Sequence, residues 1–140
     1  MTERDRGQQG VRRRVVVPRP DRVRRLGPGT AFGWSDARLH RDRWLEALTP
    51  SALGTYVFLC LAADREGVSF YRRDRIGRAL GLDDAEVAAA LRRLRQLELV
   101  AYAPFSPHAV DGFHQVLALP AAPPPDAGAG ALLARLAPPR

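Results

Sequence analysis

Lysine and asparagine are absent from this chain, and isoleucine (Ile76) and cysteine (Cys60) occur once each. All 22 basic residues are therefore arginines, so any basic surface is built from planar guanidinium forks, which suit phosphate and carboxylate oxygens. A single cysteine excludes an intramolecular disulfide. Its place among Phe58, Leu59 and Leu61 points to a buried thiol. No stretch approaches the roughly 18 consecutive apolar residues that a transmembrane helix needs. The first residues lack the apolar core of a secretory signal, and early acids and prolines argue against a transit peptide, so a cytoplasmic protein of bacterial type is expected.

The chemistry of catalysis is also missing. His40, His108 and His114 are isolated along the chain, and a lone Cys60 in the core cannot complete a metal-ligand set with them. Gly27-Pro28-Gly29 and Gly77 to Gly81 lack the strand and helix context of a phosphate-cradling loop. Asp83, Asp84 and Glu86 form an acidic cluster, but capping and dipole compensation at a helix start account for them more simply than a metal does. The expectation is a protein that is not an enzyme and has no metal, cofactor or small-molecule ligand.

The chain has 140 residues, 46% of them hydrophobic, enough for one domain with a real core. Its formal charge of +7 favours a polyanionic partner. That charge is unevenly placed. Residues 1–29 carry nine arginines against three acids, a net +6, while residues 30–120 carry eleven of each and are neutral. Residues 121–140 add +1. Alanine, arginine, glycine, proline and leucine dominate as in a chain encoded by GC-rich DNA, and part of the arginine excess follows from that bias.

Residues 1–29 read as a disordered basic arm, with Arg12, Arg13 and Arg14 as its candidate nucleic-acid contacts. VRRRVVVPRP is suited to becoming extended on a partner, although Pro18 and Pro20 make it a poor interior strand. Gly27-Pro28-Gly29 punctuates the chain, and residues 30–120 form the folded domain. A short helix across Ala37–Leu48, capped by Ser35 or Asp36, turns Leu39, Trp44, Leu45 and Leu48 inward. Trp34 and Trp44 are expected to pack it against the domain. A second helix runs from Ser51 to about Asp64 with Thr49 as N-cap, and its wide apolar surface predicts a central, well-covered element. Gly67 ends that segment, and Val68–Tyr71 is a brief strand. The next helix, Arg72 to Leu80, is expected to bury Ile76, Ala79 and Leu80. Gly81-Leu82 makes a tight turn, and Asp83 with Glu86 forms a capping-box signature for a helix whose Val87, Leu91, Leu94 and Leu97 face the core. Leu99–Ala103 and Phe113–Leu119 are strand candidates joined by Pro104–Gly112. Residues 121–140 read as a Pro/Ala/Gly-rich disordered tail, in which Ala131–Ala137 is too short for a stable lone helix.

One pattern runs through Leu48-Thr49-Pro50-Ser51-Ala52-Leu53, the buried helix ending Ala-Asp-Arg-Glu-Gly, Ile76-Gly77-Arg78-Ala79-Leu80-Gly81-Leu82 and Val87…Leu91…Leu94…Leu97-Glu98-Leu99-Val100. It resembles the winged helix-turn-helix domains of bacterial plasmid and phage replication initiators and related transcriptional regulators. The resemblance covers about 55 residues, less than half the chain. It implies a mainly α fold with a small β wing, in which one helix holds the DNA backbone and the next enters the major groove.

Carried onto these residues, the backbone-holding helix offers Arg72, Arg73, Arg75 and Arg78, with Arg92 and Arg93 on the following helix as further phosphate contacts. The reading helix departs from the family pattern. Where relatives carry Ser, Thr, Arg, Asn or Gln, this chain has Asp83, Asp84, Ala85, Glu86, Ala88 and Ala89, which offer few donors to base edges. The wing, Pro104–Gly112, holds no arginine and is apolar at Phe105 and Val110.

Three functions follow. In the first, the protein is a DNA-binding regulator or a replication or mobile-element accessory, cytoplasmic and nucleoid-associated. In the second, the same fold is a protein-interaction or dimerisation module that uses the apolar wing. In the third, the arm alone binds RNA, DNA or an anionic membrane without sequence preference, and the domain is its scaffold. None of the three invokes a membrane-spanning segment.

Overall fold

Two helix starts, at Thr49-Pro50 and Asp83, organise the computed structural model. It describes residues 3–8, 11–25, 27–29 and 31–122, with side chains described from Arg14 onward. The chain forms two compact units, Met1–Phe32 and Gly33–Arg140.

In the first unit, strand β1 (Glu3–Gln8) pairs antiparallel with β2 (Val11–Val16), placing Asp5 opposite Arg14 and Gly7 opposite Arg12. Both strands lie within residues 1–29, the segment read as a disordered basic arm. β2 stops before Pro18, which has no N–H to give a ladder. A single turn of 3-10 helix follows at Pro20–Arg22, where Arg19 holds Asp21 through two bonds of 3.0 and 2.8 Å.

Among the described residues, the second unit has four α-helices and a three-stranded antiparallel sheet. Helix α1 is only Arg38–Arg41, and a 3-10 turn follows at Trp44–Ala47. The continuous helix expected over Ala37–Leu48 breaks at Arg43, whose φ is +66°. The reason lies in spacing. Trp44 follows Leu39 by five positions, which on one unbroken helix would leave them about 140° apart. A left-handed residue between them lets both reach the core, and Leu45 is left exposed. Trp44 is 1% exposed, whereas Trp34 is 75% exposed and does not pack as expected. Here the backbone itself approaches α2: a Cβ on Gly33 would stand 2.6 Å from the Cys60 carbonyl oxygen.

Helix α2 (Pro50–Ala62) starts with proline, whose missing N–H costs nothing in the first turn. The Thr49 hydroxyl accepts from the Ala52 N–H at 3.1 Å. Ala52, Tyr56, Leu59 and Cys60 are buried, and the helix packs against the other long helices and the sheet. It is less enclosed than its composition predicts, because Val57 and Leu61 face outward, 45% and 64% exposed. After α2, the Asp64 carboxylate accepts from the Glu66 and Val68 N–H groups, both at 2.9 Å, and Gly67 turns the chain at φ +86°. Gly67 also lies tight against β5, since a Cβ there would be 2.5 Å from the Val116 carbonyl oxygen. Both conditions require glycine.

Strand β3 (Val68–Ser69) leads to α3 (Arg73–Leu80), which buries Ile76 and Gly77 and half-buries Leu80. Ala79, expected inside, is exposed because the inward line runs through residues 73, 76, 77 and 80. Gly81 at φ +70° closes α3. Helix α4 (Asp84–Gln96) opens on the full capping box: the Glu86 N–H donates to Asp83 Oδ1 at 2.7 Å, and the Asp83 N–H donates to Glu86 Oε1 at 3.3 Å. Asp83→Ala removes the first of these bonds and is expected to lower stability by about 1 kcal/mol, read as a lower urea midpoint at unchanged slope.

Strands β4 (Val100–Pro104) and β5 (Gly112–Val116) complete the sheet in the order β3-β5-β4. β5 is central, and His114 stands opposite both Ser69 and Tyr102. The core joins Leu39, Trp44, Tyr56, Leu59, Ile76 and Val87 to Leu91 and Leu94 of α4 and to Leu97 and Leu99 just after it. Ala131–Ala137, with the rest of residues 123–140, lies outside the described residues.

Candidate nucleic-acid interface

The first turn of α3 is capped from a distance. Arg72 occupies the N-cap position but makes no side-chain cap bond. Instead Asp111, just before β5, accepts from the Arg73 backbone N–H through Oδ1 at 2.9 Å. Asp111 also draws in side chains, with Arg72 Nε at 3.8 Å and Arg73 Nε at 3.9 Å. Sequence reading missed this role because donor and acceptor lie 38 positions apart.

The arginines of α3 divide into two sets. Arg73 is half-buried, its Nε 3.4 Å from Asp84 Oδ1 and near Asp111 without the alignment of a hydrogen bond. Its charge is thus neutralised within the fold, and it ties α3 to the start of α4. Arg72 and Arg78 are 66% and 74% exposed in their side chains; both make long ion pairs to Asp74, at 3.5 and 4.0 Å, and Arg72 also makes the one to Asp111 at 3.8 Å. Arg75 is exposed and has no ion pair among the described residues. Arg72, Arg75 and Arg78 recur every third residue, a spacing that keeps successive guanidiniums near one side of a helix.

On α4, Ala85, Ala89, Arg92 and Gln96 form the exposed ridge. Arg92 has no partner among the described residues, whereas Arg93 is half-buried and its Nε donates to the Ala47 carbonyl at 3.2 Å. Arg95 lies over the Tyr102 ring, 4.8 Å from its centroid. Gln96 adds a polar end that the sequence reading did not single out. Long polar side chains on this ridge are therefore confined to its C-terminal half, and its N-terminal half is acidic and alanine-lined. Arg14 is exposed on β2, and the side chains of Arg12 and Arg13 lie outside the described residues.

The β4–β5 hairpin is apolar around its loop. Phe105 meets Phe113 edge-to-face at 4.9 Å, and Val110 is 63% exposed. Behind it, His114 is 3% exposed and its Nδ1 has no hydrogen-bond partner among the described residues. Burial lowers its pKa from the ordinary 6.5, Arg95 lowers it further, and Asp111 acts in the opposite sense. Tyr102 packs on the same ring at 5.2 Å. A folded histidine that refuses a proton the unfolded chain accepts makes stability rise with pH between the two pKa values. The urea midpoint is therefore expected to fall between pH 7.5 and 5.5 as the pH drops through 6.5, and in His114→Phe this component disappears.

Burial raises the pKa of the Cys60 thiol and of the Tyr56 phenol, so both are neutral core groups at ordinary pH. No three His, Cys, Asp or Glu side chains cluster to hold a metal among the described residues. No helix among them is long and apolar enough to cross a membrane. No protein-family model, curated protein or solved structure matches the chain.

Proposed function

We propose that the second unit is a winged helix-turn-helix domain that binds duplex DNA chiefly through phosphates. The order α2, β3, α3, α4, β4, β5, with β3 completing the sheet beside β5, supports this reading. The observation that carries it is the row of exposed guanidiniums Arg72, Arg75 and Arg78 on the first helix of the pair, with Arg92 on the second. Phosphate contacts position a protein without reading sequence. The acidic, alanine-lined start of α4 fits weak base discrimination better than a specific operator. The ribbon carrying Arg12, Arg13 and Arg14 adds a second basic element of the kind that tracks the backbone.

The test titrates the full chain, and a chain lacking residues 1–29, against random duplex DNA at low and moderate salt. Binding by the shortened chain with steep salt dependence supports the proposal. If only the full chain binds, the basic ribbon is the nucleic-acid element and the proposal for α3 fails.

A second reading, a protein-interaction module, is favoured by one feature. The wing presents Phe105, Val110 and Phe113 with no arginine between Pro104 and Gly112. It requires a stable dimer or partner complex that Val110→Asp disrupts.

A further inference from the structure

Between the end of β3 and the start of α3, two aromatic residues stand in an unusual setting. Phe70 is 68% exposed, and its ring lies parallel to that of Tyr71, with an interplanar angle of 2° and centroids 6.0 Å apart. Tyr71 is in turn braced edge-on by Phe58 of α2, at 5.3 Å and 85°, and Phe58 packs against the core. The outer face of Phe70 is thus an aromatic surface supported through Tyr71 and Phe58 from inside the domain. The next residue, Arg72, and Arg75 one turn on are both exposed.

An apolar patch by itself has no preferred occupant. The adjoining charge selects one here. Two exposed arginines that follow the aromatic pair closely in the chain match a nucleotide, whose base offers a π face and whose phosphate offers the anion. Paired bases inside a duplex do not expose that face, so the occupant is an unpaired base. We propose that the Phe70–Tyr71 pair is a stacking platform for an unpaired base, so that the protein prefers duplex DNA with a single-stranded extension over flush-ended duplex. This deepens the DNA-binding reading above and rests on it for the duplex part of the ligand.

The experiment uses the full chain and compares three probes at fixed salt: a flush-ended duplex, the same duplex with a short oligothymidine overhang at either end, and oligothymidine alone. The overhang is expected to tighten binding at least about fivefold, the lower end of what stacking on one aromatic side chain contributes. Phe70→Ala and Phe70→Leu should both lose that gain while binding flush duplex as the parent does, and Phe70→Trp should keep it. Leucine retains apolar bulk without a π face, so an undiminished gain in Phe70→Leu overturns the stacking proposal. Equal affinity of the parent chain for flush and tailed duplex also overturns it, and leaves the duplex-binding reading standing. Binding of oligothymidine that depends on Phe70, with no binding of flush duplex, supports the platform and removes the duplex-binding reading. No binding to any probe removes both.

Discussion

Replacing Arg72, Arg75 and Arg78 together by alanine is expected to weaken duplex binding by several hundred-fold near 0.1 M salt and to flatten its salt dependence. Each neutralised phosphate contributes roughly 0.9 to the slope of log affinity against log salt, and about the same number of decades of affinity at 0.1 M. Three contacts therefore account for a slope change of roughly 2.7. All three side chains are exposed and none is buried in the core, so the variant should fold normally, with an unchanged far-ultraviolet spectrum and urea midpoint. The loss should be uniform across DNA sequences, because the contacts proposed for these groups are to the backbone and not to base edges. A parent-like slope in the triple variant would remove α3 from the interface. Arg73→Ala supplies the contrast. Its guanidinium lies between Asp84 and Asp111, so its replacement is expected to lower stability more than it changes the salt slope.

The second large effect concerns the two tryptophans. Trp44→Ala should destabilise the second unit by about 3–5 kcal/mol, since it removes a large, nearly inaccessible side chain from the centre of the core. Against a typical total of about 5–15 kcal/mol, such a loss leaves a marginal fold. Trp34→Ala should change stability by less than about 0.5 kcal/mol, as for a surface substitution. Urea unfolding followed by circular dichroism separates the two. Fluorescence gives an independent check: the solvent-exposed emission should vanish in Trp34→Ala and the buried emission in Trp44→Ala.

These contrasts mark where local reasoning succeeds. Thr49-Pro50 and Asp83…Glu86 announce helix starts because capping acts over three residues of chain, and both caps form. From α2 onward the strand and helix order was legible for the same reason, since hydrophobic period and turn residues are short-range signals. The boundaries of the two wing strands shift by a few residues, as strand ends are set by partners. What was hidden depends on distance. The break at Arg43 exists because Leu39 and Trp44 must reach one core, a demand that no local window contains. Asp111 reads as a loop residue until its carboxylate is seen on the Arg73 N–H. In the candidate site, the number of arginines was visible from the sequence, but their availability was not. Arg73 and Arg93 looked equivalent to Arg72 and Arg92 until the fold placed one between carboxylates and the other on a carbonyl.

Cys60 is enclosed on α2 and is the only thiol in the chain. An aromatic disulfide reagent can reach it only when that helix separates from its neighbours. The rate of thiol modification is therefore a stopwatch on the opening of the domain's centre. With no second cysteine to confuse the signal, the same measurement repeated with DNA present reports how far ligand binding slows that opening, whichever surface the ligand occupies.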